Sequence, residues 1–227
     1  MTVTNALRRL VARTPSNAES FFLPLLAQAN VRQEETLFSE LIVAVRELQL
    51  TRMAVEETLL QCCLFDGYPA ALEGFRRLNR FWPANTGELR EEYSARQLAE
   101  WRRRGAALCQ LIYGESTDKL ITDVQALSPD LSSWFLVEGY GRVLSRPGLS
   151  IQVRELITIA ILLWKGYPRQ LRSHLRGAMR VGVAAEVVCE ILQLAEADNL
   201  ELREEALLWC RKYSENEQVV AGKDGSA

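Results

Sequence analysis

The segment QLRSHLRGAM, residues 170–179, holds His174, the only histidine in 227 residues. An imidazole gives or takes a proton near neutral pH without assistance. At about 100° per residue, Gln170, Leu171, Gly177, Ala178 and Val181 share its side of a helix. That face is apolar, and its small residues one turn on admit a neighbouring helix. A histidine so placed is either a hydrogen-bonded core residue or a proton carrier in a cleft, and the pattern alone favours the first. Glu155 stands at the head of the apolar run LITIAILLW. A carboxylate at the edge of such a run is partly desolvated and holds protons more tightly. The same position equally suits a negative charge in a helix's first turn.

Arg146, in the turn SRPGLS, and Arg154 are the anion-binding candidates, because a guanidinium offers paired donors to a carboxylate. Arg169, Arg172, Arg176 and Arg180 form a stripe opposite His174 and read as a solvated or subunit-contact face. Glu138 and Tyr140, in VEGYG, lie within one turn of each other, and spacing alone marks them as ordinary helix residues. Cys62 and Cys63 are adjacent, a geometry that strains a disulfide, and they read as buried small hydrophobes.

The elements that must position these groups are helices; alternating strand patterns are absent. The pattern predicts helices over Ala18–Ala29, Gln33–Gln49, Ala54–Phe65 and Pro69–Arg80, then a break at Phe81–Gly87. Glu88–Tyr113 reads as one charged helix or two, followed by Asp118–Leu127 and Leu131–Leu144, the latter opened by the capping run Ser128-Pro129-Asp130. Ile151–Trp164 is nearly all apolar and belongs at the centre. Arg169–Val181, Ala184–Ala197 and Leu200–Tyr213 complete the set, with a frayed tail, AGKDGSA.

Apolar residues make up 48% of the chain, which fills a core without disulfide or metal staples. A net charge of −2 argues against nucleic acid as a partner. No apolar run is long enough for a membrane span or a signal peptide. There is no CxxC, and one histidine with five cysteines makes no zinc-type ligand cluster, so no metal is expected. These features fit a cytoplasmic protein. A weak internal repeat aligns Phe38–Arg46 with Arg172–Arg180, placing Glu40 where the second copy has His174. The chain therefore divides into a degenerate first unit, residues 1–87, and a second, residues 88–227.

GAALCQLIYGE, SPDLSSWFLVEGYGRVLSRPGLS and RELITIAILLWKGYPRQLRSHLRGAMRVGV together resemble the carboxymuconolactone decarboxylase family, related to the AhpD-type alkylhydroperoxidases. The resemblance runs from about Trp101 to Asp198. It implies an all-α, AhpD-like helical fold, oligomeric assembly and sites between helices and subunits. It also places the site histidine at His174, reversing the order of the two readings above, and puts VEGYG near the site. In the peroxidase branch a CxxC precedes the histidine, and a glutamate at the spacing of Glu155 serves the proton relay. Here Tyr167 and Gln170 hold the cysteine positions.

The implied activity is that of a lyase acting on a small cyclic carboxylic acid. Loss of CO₂ from an unsaturated lactone acid leaves an enolate, and the lactone carbonyl is itself the electron sink, so no cofactor is expected. Arg146 or Arg154 would orient the carboxylate, Tyr140 or a backbone N–H would hold the oxyanion and His174 would protonate carbon. The alternatives are a peroxidase-like redox protein and a non-catalytic helical oligomer. A homo-oligomer, as a trimer of tandem-unit chains, follows from the six-membered rings implied for single-unit relatives.

Overall fold

The computed structural model describes residues 18–84 and 93–224. Its helices are α1 (Ala18–Val31), α2 (Glu35–Glu47), α3 (Arg52–Phe81), α4 (Ala95–Tyr113), α5 (Thr117–Leu127), α6 (Pro129–Trp134), a π-helical segment (Phe135–Leu144), α7 (Ile151–Lys165), α8 (Pro168–Arg180), α9 (Ala185–Leu194) and α10 (Leu200–Asp224). Among the described residues there is no strand, and the chain is all-α. No described helix is long and apolar enough to cross a membrane. Parts of the expected break at Phe81–Gly87 and of Glu88–Tyr113 lie outside the described residues.

Every residue from Val153 to Leu163 is buried, as the unbroken apolar run of α7 requires. Its partner is α1, buried from Phe21 to Val31, and these two helices form the centre of the molecule. Two glutamines join the centre to its surroundings. Gln28 of α1 donates to the carbonyls of Ala160 (2.8 Å) and Glu196 (3.0 Å) and accepts from the Glu196 amide (2.7 Å). Gln61 of α3 donates to the carbonyl of Arg154 (2.9 Å) and to Thr158 Oγ1 (3.0 Å). Both side chains are buried, so these bonds satisfy groups that would otherwise be costly to hide.

The local signals act where expected. Ser128 Oγ accepts from the Leu131 amide, with Pro129 in the first turn of α6. Ser150 does the same for Val153 at the start of α7. Gly67 has φ +75° and kinks α3, separating the two helices that the sequence predicts there. Two expectations are corrected. The last helix continues past Tyr213 to Asp224. Leu131–Leu144 is not one α-helix: after Trp134 its ladder widens, and the Ser145 amide bonds back to the Tyr140 carbonyl, five residues away.

The π-helical segment and α4 make the most extensive helix–helix contact in the molecule. Glycines at the crossing explain it. A Cβ on Gly105 would lie 2.1 Å from the Leu136 carbonyl oxygen, and one on Gly141 would lie 2.1 Å from that of Trp101. Backbone meets backbone on both sides, so neither position has a flexible neighbour to move. Gly105→Ala is expected to destabilise the fold by about 1–3 kcal/mol through overpacking, read as a lowered thermal midpoint. An unchanged midpoint would show that the crossing tolerates a methyl group.

Candidate active site

α8 carries His174 inward and 8% exposed, and α7 carries Glu155, 1% exposed, towards it. His174 Nδ1 and Glu155 Oε2 are 2.9 Å apart. Gly177, one turn along α8, makes this approach possible: a Cβ there would lie 2.9 Å from Glu155 Oε2 and 2.6 Å from Ile112 Cγ2. The small residue expected to admit a neighbouring helix therefore admits a carboxylate and α4. With the Nδ1 proton donated to the carboxylate, Nε2 is the nitrogen left for a ligand. Glu155 Oε1 is buried without a hydrogen-bond partner among the described residues.

Two phenols adjoin this pair. Tyr113 ends α4, Tyr140 stands on the π-helical segment, and their hydroxyls share a short hydrogen bond. The Tyr113 and His174 rings lie 6.2 Å apart, edge to face. Burial raises the Tyr140 phenol well above its ordinary range, with Tyr113 and Glu155 adding to the effect. Burial and then the Glu155 charge raise that of Tyr113. Both tyrosines are therefore neutral hydrogen-bond donors at any physiological pH. Because folding raises these values above the unfolded one near 10, the stability they contribute is complete below about pH 10 and is lost as pH climbs through the folded values. In an alkaline titration, two of the six tyrosines are expected to resist ionisation until the fold opens. Early ionisation of all six would contradict this.

His174, Tyr140 and Glu138 line a cavity of about 530 Å³. The aromatic rings of Phe65, Trp134, Phe135 and Tyr167 supply much of the rest of its wall, together with Leu131, Leu144 and Leu162. Tyr167 and Gln170, at the peroxidase branch's cysteine positions, both face it. Glu138 is held by Arg142 at 2.6 Å, one helical turn away.

Arg146 and Arg154 do not line this cavity. Arg146 Nε donates to both oxygens of Glu57, at 3.1 and 3.0 Å, and Arg154 Nη2 donates to Glu57 Oε2 at 3.1 Å. Arg154 also reaches the Arg146 carbonyl at 3.0 Å. Glu57 is fully buried and Arg154 is 1% exposed. The SRPGLS turn is thus pinned to α3 from within: Gly148, at φ +100°, rests against the Glu57 side chain. The two arginines expected to hold a substrate carboxylate are engaged by a carboxylate of the protein.

The arginine stripe is exposed, as expected. Arg172 donates to the Tyr213 hydroxyl at 2.9 Å and lies over the Trp209 ring. Arg176 and Arg180 border a second pocket of about 310 Å³, which Tyr113 also lines. Cys62 is buried, as read from its sequence neighbours, and Cys63 is partly buried. Burial pushes the thiols of Cys62 and Cys109 up to about 12. Among the described residues no three His, Cys, Asp or Glu side chains converge as metal ligands do.

The carboxymuconolactone decarboxylase family model matches residues 131–211, which contain Tyr140, Glu155 and His174. Over 91 residues the chain is 30% identical to 4-carboxymuconolactone decarboxylase of Acinetobacter baylyi, covering 40% of this chain and 68% of that protein. The chain belongs to the carboxymuconolactone decarboxylase family. Other relatives of this family member carry a different name. It is 27% identical over 144 residues to peroxisomal protein 2 of Schizosaccharomyces pombe, covering 62% of this chain and 66% of that one. It is 33% identical over 85 residues to peroxisomal protein 2 of Saccharomyces cerevisiae, covering 37% of this chain and 30% of that one.

Sequence reasoning misses the parts played by Tyr113, beside the His174–Glu155 pair, and by Glu57, which engages Arg146 and Arg154. Tyr113 carries no local signal, since its partner is 27 residues away along the chain. Glu57 does carry one: an acid between Val55 and Leu59 in an apolar helix, the same pattern that marks Glu155.

Proposed function

We propose that this family member is a cofactor-free acid–base enzyme acting at a carbon next to a carbonyl group, with His174 as the proton carrier. The observation that supports this is the buried His174–Glu155 pair opening onto a cavity large enough for a small organic molecule. Glu155 fixes the orientation of the imidazole. A bond from the reacting carbon breaks, either to a proton taken by His174 or to a carboxylate that leaves as CO₂, and its electron pair moves onto the carbonyl oxygen. Tyr140, whose hydroxyl can accept from Tyr113 and donate onward, is the hydrogen-bond donor nearest to that developing charge. His174 then returns a proton to carbon. The peroxidase reading has less support: a thiolate is the nucleophile in that chemistry, and burial raises Cys62, Cys63, Cys109 and Cys210 away from it.

The test is a screen of unsaturated lactone acids and neutral aromatic lactones, followed by absorbance loss and by deuterium uptake from solvent, for wild type and His174→Gln. Turnover or exchange that depends on His174 supports the proposal. Its absence across both sets of compounds would sink it.

We infer further that the chain arose by duplication and assembles as a trimer. The helix order α1, α2, α3 recurs as α7, α8 and the pair α9–α10, and the sequence repeat lays α2 on α8. Glu40 then stands where α8 has His174, so each chain carries one site. Trp134 is 65% exposed, Tyr167 52% and Leu131 47%, an apolar rim at the cavity mouth of the kind that subunits cover. Light scattering at low micromolar concentration should give three times 25.7 kDa; a stable monomer would exclude this assembly.

A further inference from the structure

The distribution of charge around the cavity identifies a class of ligand. We propose that the cavity beside His174 takes an uncharged, largely aromatic carbonyl compound in place of a carboxylated lactone, an inference that rests on His174 marking the site. Among the described residues that line the cavity there is no lysine or arginine. Its charged member besides the histidine is an acid, Glu138, and a second carboxylate, Glu155, lies directly behind the imidazole. An anionic group entering here would be desolvated without a cation to meet it.

The nearby cations are committed elsewhere or lie beyond a wall. Arg142 is bound to Glu138 and lies 5.6 Å from the centre of the Tyr93 ring. Arg146 and Arg154 are held by Glu57. Arg176 and Arg180 border the other pocket, whose Tyr113 is hydrogen bonded to Tyr140 of this one, and neither lines this cavity. What the cavity does offer is aromatic surface from Phe65, Trp134, Phe135, Tyr140 and Tyr167, with two phenols, the Gln170 amide and an imidazole as polar groups besides Glu138. Flat rings stack on such walls, and one carbonyl oxygen meets the donors. A substrate without a carboxylate has no CO₂ to lose. The step is then removal of a proton by His174 Nε2, with the electron pair passing to the carbonyl oxygen and the proton returning at a different carbon or at oxygen.

Phthalide and 5-carboxyphthalide share one aromatic lactone skeleton and differ by a carboxylate. Titration calorimetry of the full chain near pH 7.5 is expected to show saturable binding of phthalide, with Kd below roughly 1 mM, the range open to so small a ligand. Binding of 5-carboxyphthalide is expected to be at least about tenfold weaker. Gln170→Arg, which adds a cation to the wall, should erase that difference. His174→Gln, whose amide can still donate to the carbonyl oxygen, should lower turnover far more than it lowers phthalide affinity, so binding and catalysis fail separately. Tighter binding of the acid, or no saturable binding of phthalide, would overturn the proposal.

Discussion

His174→Gln is expected to lower turnover by about 10²–10⁴-fold, the usual contribution of a positioned acid–base group, while the protein stays folded. Glutamine keeps a polar group near Glu155 Oε2 but carries no transferable proton. The lost hydrogen bond to a buried carboxylate costs about 1–3 kcal/mol, which lowers the thermal midpoint of a chain this size by roughly 2–12 °C. Glu155→Gln should behave in parallel, because an amide holds the ring less firmly than the carboxylate that faces His174 Nδ1. Kinetics and calorimetry together decide the matter. A variant that loses much stability and no activity would return His174 to the role of a packed core residue.

Glu57→Ala is expected to be the most damaging single change to stability. It strips the carboxylate from two arginines, one of them 1% exposed. Breaking a buried ion pair from one side costs about 3–5 kcal/mol, equivalent to a drop of roughly 6–20 °C in thermal midpoint. The cost arises mainly from Arg154 left charged in the interior, so replacing Glu57, Arg146 and Arg154 together with apolar residues of similar volume should recover much of it. A midpoint within about 2 °C of wild type for Glu57→Ala would show that the arginines find other acceptors. Because the cluster lies outside the His174 cavity, its loss should act through stability and leave ligand selectivity unchanged.

Much of the fold can be read from the chain because its helices announce themselves locally. Ser128 with Pro129, Ser150 before the apolar run, and Gly67, Gly114 and Gly182 mark helix ends or kinks through backbone chemistry that neighbouring residues decide. The central position of α7 follows from its lack of a polar face. His174 and Glu155 are legible for the same reason, as a proton-bearing group on an apolar face and an acid at the edge of a core helix. Their pairing is not, since it depends on how α7 crosses α8. The arginines illustrate the limit most clearly. Sequence shows that Arg146 and Arg154 are cations near a helix end, but Glu57, about ninety residues earlier, decides what they bind. A guanidinium meets the nearest carboxylate that the fold supplies, and here the protein supplies it first.

The wide turn of residues 135–144 bears on how this site could be gained or lost. A ladder closing on the fifth residue instead of the fourth holds one residue more than an α-helix spanning the same gap. Tyr140 faces the cavity, and Gly141 meets α4, only in that register. Deleting a single residue between Trp134 and Tyr140 would let the ladder close in the ordinary way over the same gap and would shift the residues of the widened turn by one place, roughly 100° about the helix axis. Tyr140 would leave Tyr113, and a side chain would replace Gly141 at the crossing. In this region the unit of change is therefore chain length: one codon dropped or added remakes the wall of the cavity more thoroughly than any substitution within it.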